Sequence, residues 1–164
     1  MAHAMSLPDG VGPRFDALLP ALQALLDGEP DRTANCANAV AVLYEAFSWH
    51  WVGFYRVDTV RDCLVLGPFQ GPVACTRLYR GRGVCAAAWE TGTTVVVPDV
   101  EAFPGHVACS ALSRSEVVLP VVVEGAVVAV LDVDAAEVDA FRPEHVAGLE
   151  RVVAEIARRW STWE

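Results

Sequence analysis

Two runs of strand-forming residues, Glu116 to Val123 and Ala126 to Val133, flank the dipeptide Glu124-Gly125. No other stretch constrains the fold as tightly. Apolar, β-branched runs on either side of a two-residue turn carrying glycine predict a β-hairpin. The longest apolar stretch, Val117 to Leu131, is interrupted by Pro120, Glu124 and Gly125, so it is too short and too broken to span a bilayer.

The rest of the chain supplies partners for that hairpin. Phe15, Leu18, Leu19, Leu22, Leu25 and Leu26 recur at helical spacing over 14–27, ending at Gly28, and Pro20 predicts a kink or restart inside that helix. Asp31 is placed to cap a second helix running to about Phe47. Trp49 to Val57 reads as a strand, and a charged turn from Asp58 to Asp62 leads into Cys63-Leu64-Val65-Leu66-Gly67 as a second hairpin. A third strand is expected over Ala74 to Tyr79. Gly81 and Gly83 open a helix through Ala86-Ala87-Ala88-Trp89 that Gly92 closes. Thr94 to Val97 is a short strand stopped by Pro98. Residues 99–115 read as a loop with one helical turn around Cys109. Pro143 fits the first position of a last helix reaching about Trp160. With no repeat and no linker, this order predicts one α+β domain over 1–164, a mostly antiparallel sheet flanked by N- and C-terminal helices.

Hydrophobic residues make up 54% of the 164, which supports a sizeable core and argues against disorder. Twelve basic against 21 acidic residues give a net charge of −9, unfavourable for a nucleic-acid backbone or an anionic membrane surface. Met1-Ala2-His3-Ala4-Met5 shows no basic segment followed by an apolar run, so no secretory signal is read, and Met5 is a second candidate start. Five cysteines without such a signal predict a reducing, cytoplasmic setting, in which thiols are free, catalytic or metal-bound.

Three of those cysteines follow glycine or proline turns: Pro72-Val73-Ala74-Cys75, Gly81-Arg82-Gly83-Val84-Cys85 and Phe103-Pro104-Gly105-His106-Val107-Ala108-Cys109. If the last segment is helical, His106 and Cys109 share a face, and an imidazolium beside a thiol favours the reactive thiolate. Cys36 falls among core residues of a helix, and Cys63 opens a strand with no chemistry beside it. Asp132 and Asp134 lie two apart at the end of an apolar strand, hence on one face. Crowded carboxylates there raise one another's pKa, and a raised carboxyl can donate a proton near neutrality. Glu116 opens the partner strand and joins the same rim. Trp51, Gly53 and Tyr55 share a face that can wall a small pocket. Each feature also has a plainer account: a polar strand end for the carboxylates, core packing for the aromatics and thiols. Together they point to a thiol redox enzyme for a small cationic or zwitterionic ligand.

Leu64-Val65-Leu66-Gly67-Pro68-Phe69-Gln70-Gly71, Gly81-Arg82-Gly83-Val84-Cys85, Val96-Val97-Pro98-Asp99-Val100, the Cys109 loop, Ser115-Glu116-Val117-Val118-Leu119-Pro120 and Gly125 to Asp134 together resemble the free methionine-(R)-sulfoxide reductases, enzymes built on a GAF domain. The resemblance runs from about Trp51 to Leu149. It implies a GAF-like fold and the reduction of free L-methionine (R)-S-oxide without a cofactor. It implies that Cys109 attacks the sulfoxide, Cys75 resolves, and Cys85 is a third active-site thiol. It places Glu116, Asp132 and Asp134 as substrate-binding and proton-donating carboxylates, with Trp51 and Tyr55 as pocket walls. It further implies recycling by thioredoxin and frequent homodimers. Two positions depart from the family pattern: Ser110 stands where an acidic residue often follows the nucleophile, and Arg114 replaces an asparagine. Two rivals remain. One is a non-catalytic GAF-type sensory module. The other is a zinc domain using Cys75, Cys85, His106 and Cys109, whose long spacings lack a paired CxxC knuckle.

Overall fold

The structure, a computed structural model, describes residues 7–107 and 109–164; Met1 to Ser6, with the candidate start at Met5, and Ala108 lie outside the described residues. Its elements run α1 (Val11–Leu26), α2 (Arg32–Phe47), β1 (Trp51–Asp58), β2 (Cys63–Gln70), β3 (Arg77–Tyr79), α3 (Val84–Thr91), β4 (Val95–Val97), β5 (Ser115–Val123), β6 (Ala126–Ala135) and α4 (Pro143–Arg159). The six strands form one sheet in the order β3-β2-β1-β6-β5-β4, with every neighbouring pair antiparallel. This is the expected α+β architecture.

Period-two alternation divides the sheet into two faces. Val52 and Phe54 of β1, Val117, Leu119 and Val121 of β5, and Leu131 and Val133 of β6 pack against α1, α2 and α4 in the larger core. Trp51, Tyr55, Val118 and Val130 point the other way, into a smaller cluster with Val84, Cys85, Ala88 and Trp89 of α3. The polar residues Glu116 and Asp132 are buried on that second side. The long β5–β6 hairpin therefore joins both cores and carries the carboxylates on its α3-facing side.

Several local expectations are revised. Pro20 does not restart α1, which runs through it as a single helix. Asp16 and Pro20 both face solvent, so water can satisfy the carbonyl that loses its N–H partner, while Phe15, Leu18, Leu19, Leu22 and Leu26 stay buried. The third strand is only Arg77–Tyr79, because Cys75 is drawn off the sheet: its carbonyl accepts from the Tyr55 hydroxyl at 3.0 Å. The helical turn expected around Cys109 is a 3-10 turn at Val100–Ala102 instead. That turn ends at Phe103, whose backbone is extended, and the carbonyl of Gly105, at φ +72, accepts from Gly83 N at 3.0 Å.

Candidate active site

Three elements bring the site together. The β5–β6 register sets Glu116 opposite Asp134 and Val118 opposite Asp132. The β1–β6 register then sets Gly53 against Asp132 and Trp51 against Asp134. Side chains alternate, so Trp51, Tyr55, Glu116, Asp132 and Asp134 all line one cavity, closed from above by Val73, Ala74, Gly83, Val84, Cys85, His106 and Cys109. The cavity holds about 40 Å³, room for a few water molecules.

Cys75 and Cys109 form a disulfide with Cα atoms 5.5 Å apart, which bridges 34 positions of sequence and ties Cys75 to Cys109 in the cavity lining. Cys85, Cys36 and Cys63 are free and buried. The structure pairs Cys109 with Cys75 and leaves Cys85 free. Cys36 lies in the helix-side core, as its neighbours implied.

The aromatic wall is built on a glycine. A Cβ at Gly53 would overlap the Trp51 ring and approach Phe69 Cβ to 2.5 Å, so the indole lies over Gly53 and stacks with Phe69 at 5.4 Å between centroids. The Trp51 indole N–H donates to Pro72 O at 3.1 Å. Trp51 and Tyr55 thus wall the cavity and also grip both sides of the segment that carries Cys75.

Electrostatics on this side of the sheet are unusual. Burial, then the charges of Asp134 and Glu116, push the Asp132 carboxyl well above the usual carboxylate range. Burial and Asp134 do the same to Glu116. Asp134 is only half-buried, and Ser113 and His106 oppose its desolvation, so its pKa rises to about 6. Cys85 lies in the first turn of α3, where a helix N-terminus favours a thiolate. Burial wins, helped by Asp132 and Glu116, and the thiol is pushed up. Cys85 is therefore a poor ground-state nucleophile.

His106 does not share a helical face with Cys109 as expected. Its Nε2 lies 3.5 Å from Glu116 Oε2, so it serves the carboxylates. Of the two departures noted in the sequence, Arg114 faces Asp99 and Glu101, at 3.9 and 4.0 Å, and does not line the cavity. Ser110 does line it, and its hydroxyl is 2.9 Å from His50 Nε2. His50, immediately before β1, and Ser113 were missed in the sequence. Neither sits in a motif, and only the folded loop brings them in.

The family model for the GAF domain matches residues 31–159. GAF domain-containing protein A of Dictyostelium discoideum is 54% identical over 128 residues, covering 78% of this chain and 80% of the relative. Free methionine-R-sulfoxide reductase of Escherichia coli (strain K12) is 43% identical over 140 residues, covering 85% and 84%. Among solved structures, free methionine-R-sulfoxide reductase from Neisseria meningitidis, in complex with its substrate, superposes with a TM-score of 0.95. It is 44% identical and covers 99% of this chain and 97% of its own.

Proposed function

The chain belongs to the free methionine-R-sulfoxide reductases of the GAF-domain family, and from that premise we propose that it reduces free methionine (R)-sulfoxide through the Cys109 thiol. The observation that carries this reading is the Cys75–Cys109 disulfide at the mouth of a cavity floored by three carboxyl groups. A non-catalytic ligand-binding module needs neither.

The reaction balances with these residues. A sulfoxide sulfur becomes electrophilic once its oxygen is protonated, and a raised carboxyl supplies that proton while the Cys109 thiolate attacks sulfur. Methionine leaves and the oxygen stays on Cys109 as a sulfenic acid. Cys75 condenses with it, expelling water and forming the disulfide. An external dithiol of the thioredoxin class then takes over the disulfide by exchange. Asp134 is the favoured proton donor, since its carboxyl pKa is raised to about 6 and it lies toward the Cys109 loop. Glu116 and Asp132 receive the substrate ammonium, and Trp51 and Tyr55 wall its apolar part. Cys85 stands behind as the third thiol. A cytoplasmic setting, a homodimer and a single domain over 1–164 complete the reading by family resemblance. Among the described residues, no helix is long and apolar enough to cross a membrane.

Single turnover without reductant tests the assignment. Parent enzyme should release one methionine per chain and lose two thiols, while Cys109→Ser should release none. Methionine release by Cys109→Ser overturns it. The carboxylates also predict selectivity. An N-acetylated substrate has lost its ammonium, and leaving a buried charged group unpaired costs about 2–5 kcal/mol. The enzyme should therefore disfavour N-acetylmethionine sulfoxide by roughly 30-fold or more.

A further inference from the structure

We propose that Cys85, Glu116 and Asp132 form a binding site for a zinc-class divalent cation, present whether or not Cys75 and Cys109 are joined. Their sulfur and two carboxylate oxygens all lie within 4.8 Å of one another, and all three residues are buried. Zinc takes sulfur at about 2.3 Å and carboxylate oxygen at about 2.0–2.2 Å. Around one tetrahedral ion such ligand atoms sit roughly 3.4–3.7 Å apart, so a closure of about 1 Å completes the set.

A second observation points the same way. Asp132 is 7% exposed, and among the described residues its Oδ1 has no hydrogen-bond partner. A buried carboxylate oxygen left unpaired is costly unless something outside the protein meets it. A substrate ammonium is served by oxygen acceptors and gains little from sulfur. A thiol at the third corner gives this donor set its preference for a thiophilic ion over magnesium or calcium. His106, with Nε2 3.5 Å from Glu116 Oε2, stands ready to orient that carboxylate or to enter as a fourth ligand. The ion fills the place given above to the substrate ammonium, although its binding does not depend on that reading.

Cadmium titration of the oxidised, metal-free protein tests the site, followed by thiolate-to-cadmium absorption in the ultraviolet. The disulfide removes Cys75 and Cys109 as ligands. One equivalent should saturate the band, zinc should displace it, and magnesium in large excess should not. Cys85→Ser should abolish the band, whereas Cys36→Ser and Cys63→Ser should leave it intact. Asp132→Asn should weaken binding by more than the roughly 10–100-fold that outer-sphere changes cost. Should Cys85→Ser misfold by circular dichroism, Asp132→Asn decides. Absence of the band in the oxidised protein, its survival in Cys85→Ser, or unchanged affinity in Asp132→Asn overturns the proposal. No turnover is involved, so either result leaves the reductase assignment to its own test.

Discussion

Asp134 carries opposite demands of stability and chemistry. Its folded pKa of about 6 lies above the ordinary 3.8, so between those values the folded chain holds a proton that the unfolded chain has lost. Stability is then fullest below about pH 4 and falls as pH rises through about 6. The penalty approaches about 3 kcal/mol above pH 6, less what water at its half-buried edge returns. Asp134→Asn mimics the protonated form. It should raise the urea midpoint at pH 8 and barely change it at pH 4, while slowing single-turnover sulfoxide reduction by about 10²–10⁴-fold. Equal midpoint gains at both pH values would show that the gain comes from packing. His50 offers a milder test. Its ring meets the hydroxyl of Ser110, next to the nucleophile. A neutral hydrogen bond is worth about 0.5–1.5 kcal/mol, so His50→Ala and Ser110→Ala should each slow the chemical step roughly 2–12-fold. The double variant should be no worse than either single one. The carboxylates were legible in the sequence because a strand ending in Asp132-Val133-Asp134 fixes their face. The His50–Ser110 contact was not, since it depends on where a loop 60 residues away comes to rest.

Among the elements, what could be read depended on whether local periodicity or distant contacts set the structure. The β5–β6 hairpin, the four helices and their glycine or proline boundaries follow from spacing alone. The shortening of β3 and the non-helical Cys109 loop follow from Tyr55 gripping the Cys75 carbonyl and Gly83 binding Gly105 O, and no window of sequence contains both partners. Two glycines separate the faces of the sheet experimentally. In α4, a Cβ at Gly148 would overlap the ring of Phe15, which is 0% exposed. Alanine gains about 1 kcal/mol of helix propensity there, but overpacking a filled core costs about 1–3 kcal/mol. Overpacking wins because the obstacle is a fully enclosed ring. Gly148→Ala should lower the urea midpoint and leave KM for the sulfoxide unchanged. Gly53→Ala should cost similar stability and also raise KM, since displacing Trp51 moves the cavity wall and the Cys75 segment. A raised KM in Gly148→Ala would mean that the helical layer is coupled to the site.

Across the whole molecule, the Cys75–Cys109 bridge connects the chemistry to global stability. It closes a loop with a sequence separation of 34 on the α3 side of the sheet, while the larger core on the other side is formed without it. Loop closure of that length removes unfolded-state entropy worth about 4 kcal/mol in the chain-entropy model. Ordering the reduced loops offsets part of this, so roughly 2–4 kcal/mol is expected between oxidised and reduced protein. For a chain of this size each kcal/mol moves the melting temperature by about 2–4 °C. Adding free methionine sulfoxide to reduced enzyme, without any reductant, should therefore raise Tm by roughly 5–10 °C. Simple ligand binding also raises Tm, but that gain disappears on dialysis. A gain made by the disulfide persists after the product is dialysed away and is reversed by a dithiol. It should be missing in Cys109→Ser and in Cys75→Ser, and retained in Cys36→Ser and Cys63→Ser. If the shift vanished on dialysis of the parent protein, the bridge would not be the stable end of a turnover, and Cys75 would lose its role as the resolving thiol.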